Sequence, residues 1–264
     1  MAALDFGFSS MQRRDLMNIF SLIILAMIVV SLPTVVPCQD GSKSAGQGAA
    51  SAIQLPAPRT DGQCSVEKAL ATRRSVREFK DEPLSIAALS QLVWAAQGMT
   101  LKMDAPQNWS WGTWQGGKRT APSAGALYPL ELYIVVGKVD GLKPGVFKYK
   151  PQTHQLLNVL AGDKRSELAT AALGQKWMES APCVFVVGAV YKRTEVKYGE
   201  RAPRYVHIEV GHAVENICLE AVALDLGTTM VGAFKDDEVK KVVGMSDEEQ
   251  PLAIVPVGKG APGD

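Results

Sequence analysis

Residues 204–227 (RYVHIEVGHAVENICLEAVALDLG) repeat apolar positions at helical spacing, with Val210, Val214, Ile217, Ala221 and Leu224 on one stripe. The other side carries Gly211, Ala213, Cys218, Ala223 and Leu226 instead of a charged face. A helix apolar nearly all round is covered on more than one side, so this segment is expected to be the central helix of the fold. Gly227 follows where a left-handed terminating residue would sit. Small residues at Gly211 and Ala213 would admit a second backbone closely. That fits a helix packed across a subunit interface as well as it fits the core of a single chain.

The flanking pattern fills in the rest. A short helix is expected from the N-cap Ser65 through Ala71. Residues 85–98 place Ile86, Leu89, Val93 and Ala96 on one face, with Ser85 as N-cap and Gly98 ending the helix. Residues 130–136 (LELYIVV) read as a strand, and residues 146–149 and 155–160 flank a turn at 151–154, which predicts a hairpin. Asp163 caps a helix to Leu173, and residues 183–190 form an apolar strand of the kind buried on both faces. A strand at 228–231, a capped helix at 236–243 and a strand at 252–257 complete the chain. Helices and strands interleave without regular βαβ alternation. The prediction is a layered α+β fold with a mixed, mainly antiparallel sheet flanked by helices.

The N-terminus stands apart. Residues 19–32 (IFSLIILAMIVVSL) are apolar and uncharged, and Arg13 and Arg14 precede them. Their length suits the hydrophobic region of an export signal better than a full span of ~20 residues. Residues 12–17 (QRRDLM) resemble a twin-arginine signal, a receptor-read address for proteins exported already folded. Met11 serves equally well as the start, and an uncleaved anchor is the alternative to a cleaved signal. Residues 39–59 turn to Gly, Ser, Ala, Gln and Pro, a composition that cannot bury enough surface to order itself. The expected organisation is therefore an export signal or anchor over 1–38, a flexible linker over 39–62 and a folded domain over 63–264. Its expected place is outside the cytoplasm, periplasmic or membrane-anchored, with membrane contact only through the N-terminal segment.

Composition narrows the chemistry. A net charge of +1 in 264 residues supplies no basic stripe for nucleic acid. Cys38, Cys64, Cys183 and Cys218 show neither CxxC nor zinc spacing, so no metal site or disulfide framework is expected. His207, Glu209 and His212 miss the four-residue histidine spacing of a zincin. There is no GxGxxG after a strand, no P-loop and no GxSxG elbow.

Three stretches remain. TRRSVREF, from Thr72, packs three arginines and a serine into five positions and makes a compact anion receptor, although a solvated basic turn has the same composition. RTAPSAGALYPLE, from Arg119, leaves backbone amides open at small residues, as a simple turn would. GTTMVGAF, from Gly227, does so again near a strand end. Between the first two, residues 100–120 form a polar, glycine-rich loop carrying Trp109, Trp111 and Trp114. Loops of that length are uncommon and often functional, and a surface insertion accounts for this one equally well.

Taken in order, RRSxRxF, PSAGALYPLELY, KYGERxxRY, the GHxxxN…LxxGT helix and GAF resemble the nitroreductase superfamily of FMN flavoproteins, and within it the SagB-type (thiazole/oxazole-forming) dehydrogenase branch. The resemblance covers residues 65–259. It implies a nitroreductase-like fold, an FMN cofactor, a homodimer with the central helix at its interface, and hydride transfer between flavin and a small organic substrate. NAD(P)H or another donor would supply electrons. Arg73, Arg74 and Ser75 match positions at the FMN phosphate and ribityl end, and Arg77 a basic position near the polar edge of the flavin ring. Ser123, Ala124, Gly125 and Ala126 match the segment lying along the flavin, usually supplied by the partner subunit. Gly232 and Ala233 match backbone beside its reactive nitrogen. Lys197 and Tyr198 match a Lys-Tyr pair associated with proton abstraction in the azoline oxidases, and the local sequence reads as a polar loop reaching over the cofactor. Relatives that continue past the last strand add a basic residue to the phosphate; here Lys259 is the candidate. An exported, stand-alone chain fits poorly with azoline substrates, and substrate specificity is expected in the tryptophan loop. A non-catalytic flavin-binding or sequestering protein of the same fold is the alternative function.

Overall fold

The computed structural model describes residues 52–261, so the expected export signal lies outside the described residues. Seven strands form one sheet in the order β1-β6-β5-β4-β7-β9-β8, and every ladder in it is antiparallel. They are β1 (Ala52–Gln54), β4 (Leu130–Val136), β5 (Gly145–Lys150), β6 (Gln155–Ala161), β7 (Cys183–Ala189), β8 (Gly227–Thr228) and β9 (Gln250–Gly258). Parallel character is confined to lone bridges, Ser75 with Thr228 and Leu84 with Val139.

Side chains of a strand alternate between faces, and the two central strands use this to build two cores. On β4, Leu130, Leu132, Ile134 and Val136 pack on one side, and Tyr133 and Val135 on the other. On β7, Cys183, Phe185 and Val187 join the first cluster, and Val184 and Val186 the second. Helices α2 (Ile86–Gln97) and α5 (Ala202–Ala223) cover the first side; α3 (Arg165–Ala171) and α6 (Asp236–Val243) cover the second. The result is the expected layered α+β arrangement.

The central helix is α5, 22 residues long. It buries Val206, Val210, Ala213, Val214, Ile217 and Ala221, while Ile208, Gly211 and His212 face solvent in the single chain. Its end differs from the expectation. The helix stops at Ala223, Asp225 takes the left-handed conformation at φ 59°, and the Leu226 N–H returns to the Ala221 carbonyl at 2.8 Å. Gly227 has another role: a Cβ there would lie 2.7 Å from the Val76 side chain.

The expected linker over 39–62 is corrected for its described part. β1 adds to the edge of β6, and Leu55 is 3% exposed. His154 lies between the Tyr149 hydroxyl (2.8 Å), Ser90 Oγ (2.8 Å) and the Pro56 carbonyl (2.9 Å), and the Arg59 N–H donates to Gln91 Oε1 at 2.8 Å. Backbone pairing and a partner surface order a segment whose own side chains could not.

Three smaller expectations also change. Residues 100–120 keep an irregular loop over 103–116, but its two ends pair as a short hairpin of β2 (Met99–Lys102) and β3 (Gly117–Arg119). The strand at 228–231 shrinks to β8 plus a lone Val231–Ile254 bridge. Asp163 sits one residue before the N-cap Lys164, accepting from the Arg165 N–H at 3.1 Å, and the N-cap of α6, Lys235, makes no side-chain cap.

Candidate active site

One group of expected site residues gathers near the N-terminal half of α5. Ala124–Ala126 form a 3-10 turn in which Gly125 (φ 63°) and Ala126 (φ 56°) are left-handed. Ser123 Oγ accepts from the Tyr128 N–H at 2.8 Å, and Glu209 Oε1, from α5, accepts from the Ala124 N–H at 2.9 Å. Against this turn stands the end of helix α4 (Lys192–Tyr198). A Cβ added to Gly125 would lie 3.0 Å from the Tyr198 hydroxyl and 3.2 Å from Lys197 Nζ. The pair therefore ends a helix, where a loop was expected, because Gly199 takes φ 52° and breaks the chain into the 3-10 turn Gly199–Arg201 ahead of α5. Lys197 is exposed and Tyr198 half-buried.

The tryptophan hairpin reaches the same place. Its three indoles cluster edge to face, Trp109 with Trp114 at 4.7 Å and with Trp111 at 5.6 Å. Trp109 Nε1 donates to the Gly112 carbonyl and Trp114 Nε1 to the Met103 carbonyl, each at 2.8 Å. The free ring face of the cluster goes to Lys197, whose Nζ is 3.9 Å from the Trp111 centroid, a cation–π contact.

A second group lies at the other end of α5. Ser65 Oγ caps α1 (Val66–Thr72) by accepting from the Lys68 N–H, and the arginine run follows directly. The Val76 N–H donates to the Thr228 carbonyl at 3.1 Å, and Ser75 bridges Thr228, so the run is laid against β8. Gly227 permits that approach. A cleft of about 670 Å³ opens here, lined by Lys68, Arg74, Cys218, Gly227 and Lys259 among others. Arg74 is exposed and donates to the Ala71 and Arg73 carbonyls; Arg73 is half-buried beside Cys218. Burial pushes the Cys218 thiol up to about 11, so it stays protonated near neutral pH. Lys259 Nζ pairs with Asp225. Ser75 and Arg77 are exposed. Gly232 and Ala233 are exposed as well, with Gln175 Nε2 donating to the Ala233 carbonyl at 3.1 Å. A Cβ at Gly232 would meet nothing within 4 Å, so its backbone stands open to a ligand. Glu209 and Cys218 are nine positions apart on α5, ~14 Å along its axis. One chain thus assembles both groups without superposing them.

Two features were not anticipated from the sequence. Glu209 is 4% exposed. Burial pushes its carboxyl up to about 7, with the Ala124 N–H, Ser123 and Arg119 pulling the other way. The available signal was a lone carboxylate on the buried stripe of an apolar helix. The second feature is a charged network under the hairpin. Lys148 Nζ pairs with Glu131 (3.0 Å) and Glu249, and Arg193 pairs with Glu131 and donates to the Tyr128 carbonyl at 3.1 Å. Burial works against the Lys148 charge, but Glu131 and Glu249 outweigh it and hold its pKa above the ordinary lysine value. The network's members are scattered over β4, β5, α4 and the turn before β9, and no sequence spacing announces them.

The nitroreductase family model matches residues 70–259. MJ1384, a nitroreductase candidate of Methanocaldococcus jannaschii, is 42% identical over 207 residues, which span 78% of this chain and 96% of its own. The chain belongs to the nitroreductase family. The trifolitoxin operon protein TfxC of Rhizobium leguminosarum is 24% identical over 204 residues, 72% of this chain and 54% of TfxC. Among solved structures, a Ralstonia eutropha nitroreductase candidate superposes with a TM-score of 0.65 at 27% identity, over 80% of this chain and 90% of its own. An oxidoreductase function goes with nitroreductase membership, and the matched span contains both groups of residues on α5.

Proposed function

We propose that this protein is an FMN-dependent oxidoreductase of the SagB-type branch that passes a hydride between flavin and a small organic substrate, and that it works as a homodimer. The observation that carries the reading is the meeting of Gly125 with Lys197 and Tyr198, some 70 residues further along the chain. The pattern of residues 123–126 and of the Lys-Tyr pair points to one site, and the fold brings them into contact. The similarity to TfxC supports the branch.

The residues present fit the cofactor. The cleft at the C-terminal end of α5 is large enough for a mononucleotide and has Lys68, Arg74 and Lys259 around it, cations suited to a phosphate. Gly232 offers open backbone. Bound FMN would supply hydride chemistry. The chain's own part is to hold and to move protons: Arg73, Arg74, Ser75 and Lys259 bind the phosphate end, and residues 123–126 give a flat backbone surface. Lys197 and Tyr198 exchange a proton with the substrate at Nζ and the phenolic oxygen. Trp111 keeps water from one face of Lys197. NAD(P)H is the proposed donor.

Export through the twin-arginine segment accords with a protein that acquires its cofactor before it leaves. Replacing Arg13 and Arg14 by lysine would then leave the protein inside the cell on fractionation. The direct test of function is the purified protein itself. It should be yellow, release FMN in about one equivalent per chain, and oxidise NAD(P)H in the presence of menadione. Colourless protein that takes up no added FMN overturns the reading. Tight FMN with no turnover by any donor favours the sequestering alternative.

A further inference from the structure

Beside the candidate active site lies a second, smaller cavity of about 100 Å³, lined by Gln97, Gln115, Arg119, Glu131, Lys150 and Arg193 among others. Its wall is mainly polar, with Leu130, Leu132 and Pro151 completing the lining. That space holds several waters, room enough for a small carboxylate. Arg119 is 7% exposed. Its hydrogen bonds go to amide oxygens, Nη1 to Gln97 at 2.8 Å and Nη2 to Gln115 at 3.4 Å, and Nε has none. No carboxylate is bonded to it among the described residues.

Charge in this partly buried network does not balance. Arg119, Lys148 and Arg193 are three cations, against two carboxylates, Glu131 and Glu249. Both carboxylates are bonded to Lys148 and Arg193, so Arg119 feels Glu131 only through space. Glu209 also acts on Arg119 through space but is itself held partly protonated near neutral pH by burial. A buried cation without a counter-ion is costly unless an anion joins it. A larger space adjoins the small cavity, with lining residues in common. Gln115 and Arg193 line both the small cavity and this space of about 350 Å³ under the hairpin, which runs to Trp111 and Val196 beside Lys197.

We propose that the Arg119 cavity is a carboxylate subsite and that the substrate is a small carboxylic acid, anchored there by its carboxylate while its reacting end lies under the hairpin toward Lys197. This rests on the oxidoreductase reading above. The probe is acetate, with acetamide as its neutral counterpart, titrated at constant ionic strength into the FMN-loaded protein and followed by calorimetry and thermal melting. Acetate should bind and raise Tm, and acetamide should not. Arg119→Gln should weaken acetate binding about tenfold or more, as loss of a charge-assisted contact does. Lys150→Gln, at the half-buried rim, should weaken it a few-fold and covers the case in which the Arg119 variant does not fold. Equal responses to acetate and acetamide, or acetate affinity unchanged in the variants, overturn the proposal. FMN content is read in the same samples. Retained FMN without selective acetate binding sinks the subsite alone, and selective acetate binding in flavin-free protein sinks the cofactor reading alone.

Discussion

Glu209 joins the hydrogen bonding of the site to its pH dependence. Its folded value of about 7 lies above the ordinary 4.5, so the folded state holds the proton more tightly than the unfolded chain. Ionisation therefore costs stability progressively from about pH 4.5, and the cost is complete above about pH 7. Glu209→Gln keeps an acceptor for the Ala124 N–H and removes the ionisation. Its stability relative to the parent should rise between pH 5 and pH 8 by on the order of 3 kcal/mol, or roughly 5–10 °C in Tm for a domain of this size. A Tm difference that does not change with pH would show that burial of this carboxyl carries no charge penalty. At the same scale, Lys197→Ala with Tyr198→Phe should lower turnover about 100-fold to 10,000-fold, the range of general base catalysis. Flavin absorbance and Tm should stay near the parent's, because Lys197 is exposed and Tyr198 only half-buried. Single-turnover kinetics decide it: if only reoxidation slows, or flavin is lost, the pair is structural. The pair was legible from its residues only through the family pattern. Glu209 was weighed only as part of a zinc motif and set aside on the histidine spacing, which says nothing of a buried carboxyl.

Among the elements, the edge strand β1 and the tryptophan hairpin depart most from what their composition implies. A domain begun at Ser65, close to the expected start at Gln63, loses β1 pairing, the burial of Leu55 and the bonds between the Arg59 backbone and the Gln91 side chain. Burying one leucine is worth roughly 1.5–3 kcal/mol. A chain begun at Ser65 should therefore melt roughly 5–10 °C below one begun at Ala52. Equal melting temperatures would mean that the segment is only laid on the sheet. The hairpin is stapled by two indole N–H bonds to its own carbonyls, which is why its form was hidden: β2 and β3 are too short and polar to show a period.

For the whole molecule, oligomeric state is the quantity to measure. Ile208 on α5 is 50% exposed, and Val66 and Leu70 on α1 are 64% and 57% exposed. In the proposed homodimer these apolar side chains are covered, and the two groups on α5, ~14 Å apart in one chain, complete each other across the interface. Light scattering should give twice the chain mass. Ile208→Asp should yield monomer that is folded but poor in FMN, since an exposed substitution alone shifts stability by only about 0.5 kcal/mol. A monomeric parent that binds FMN tightly overturns the arrangement.

By itself the sequence determined the layered α+β class, the central helix, the buried strands β4 and β7, and the three stretches that hold the candidate site. Each of these is written in local chemistry: apolar period, caps, and clustered arginines or small residues. Tertiary structure alone decided where α5 stops, that residues 52–54 join the sheet, and that Gly227 exists to let Val76 approach. It alone placed Lys197 against Gly125 and Trp111, and left Arg119 buried with no counter-charge bonded to it among the described residues. Those facts depend on which distant atoms fill the space around a residue, and periodicity along a chain does not record that.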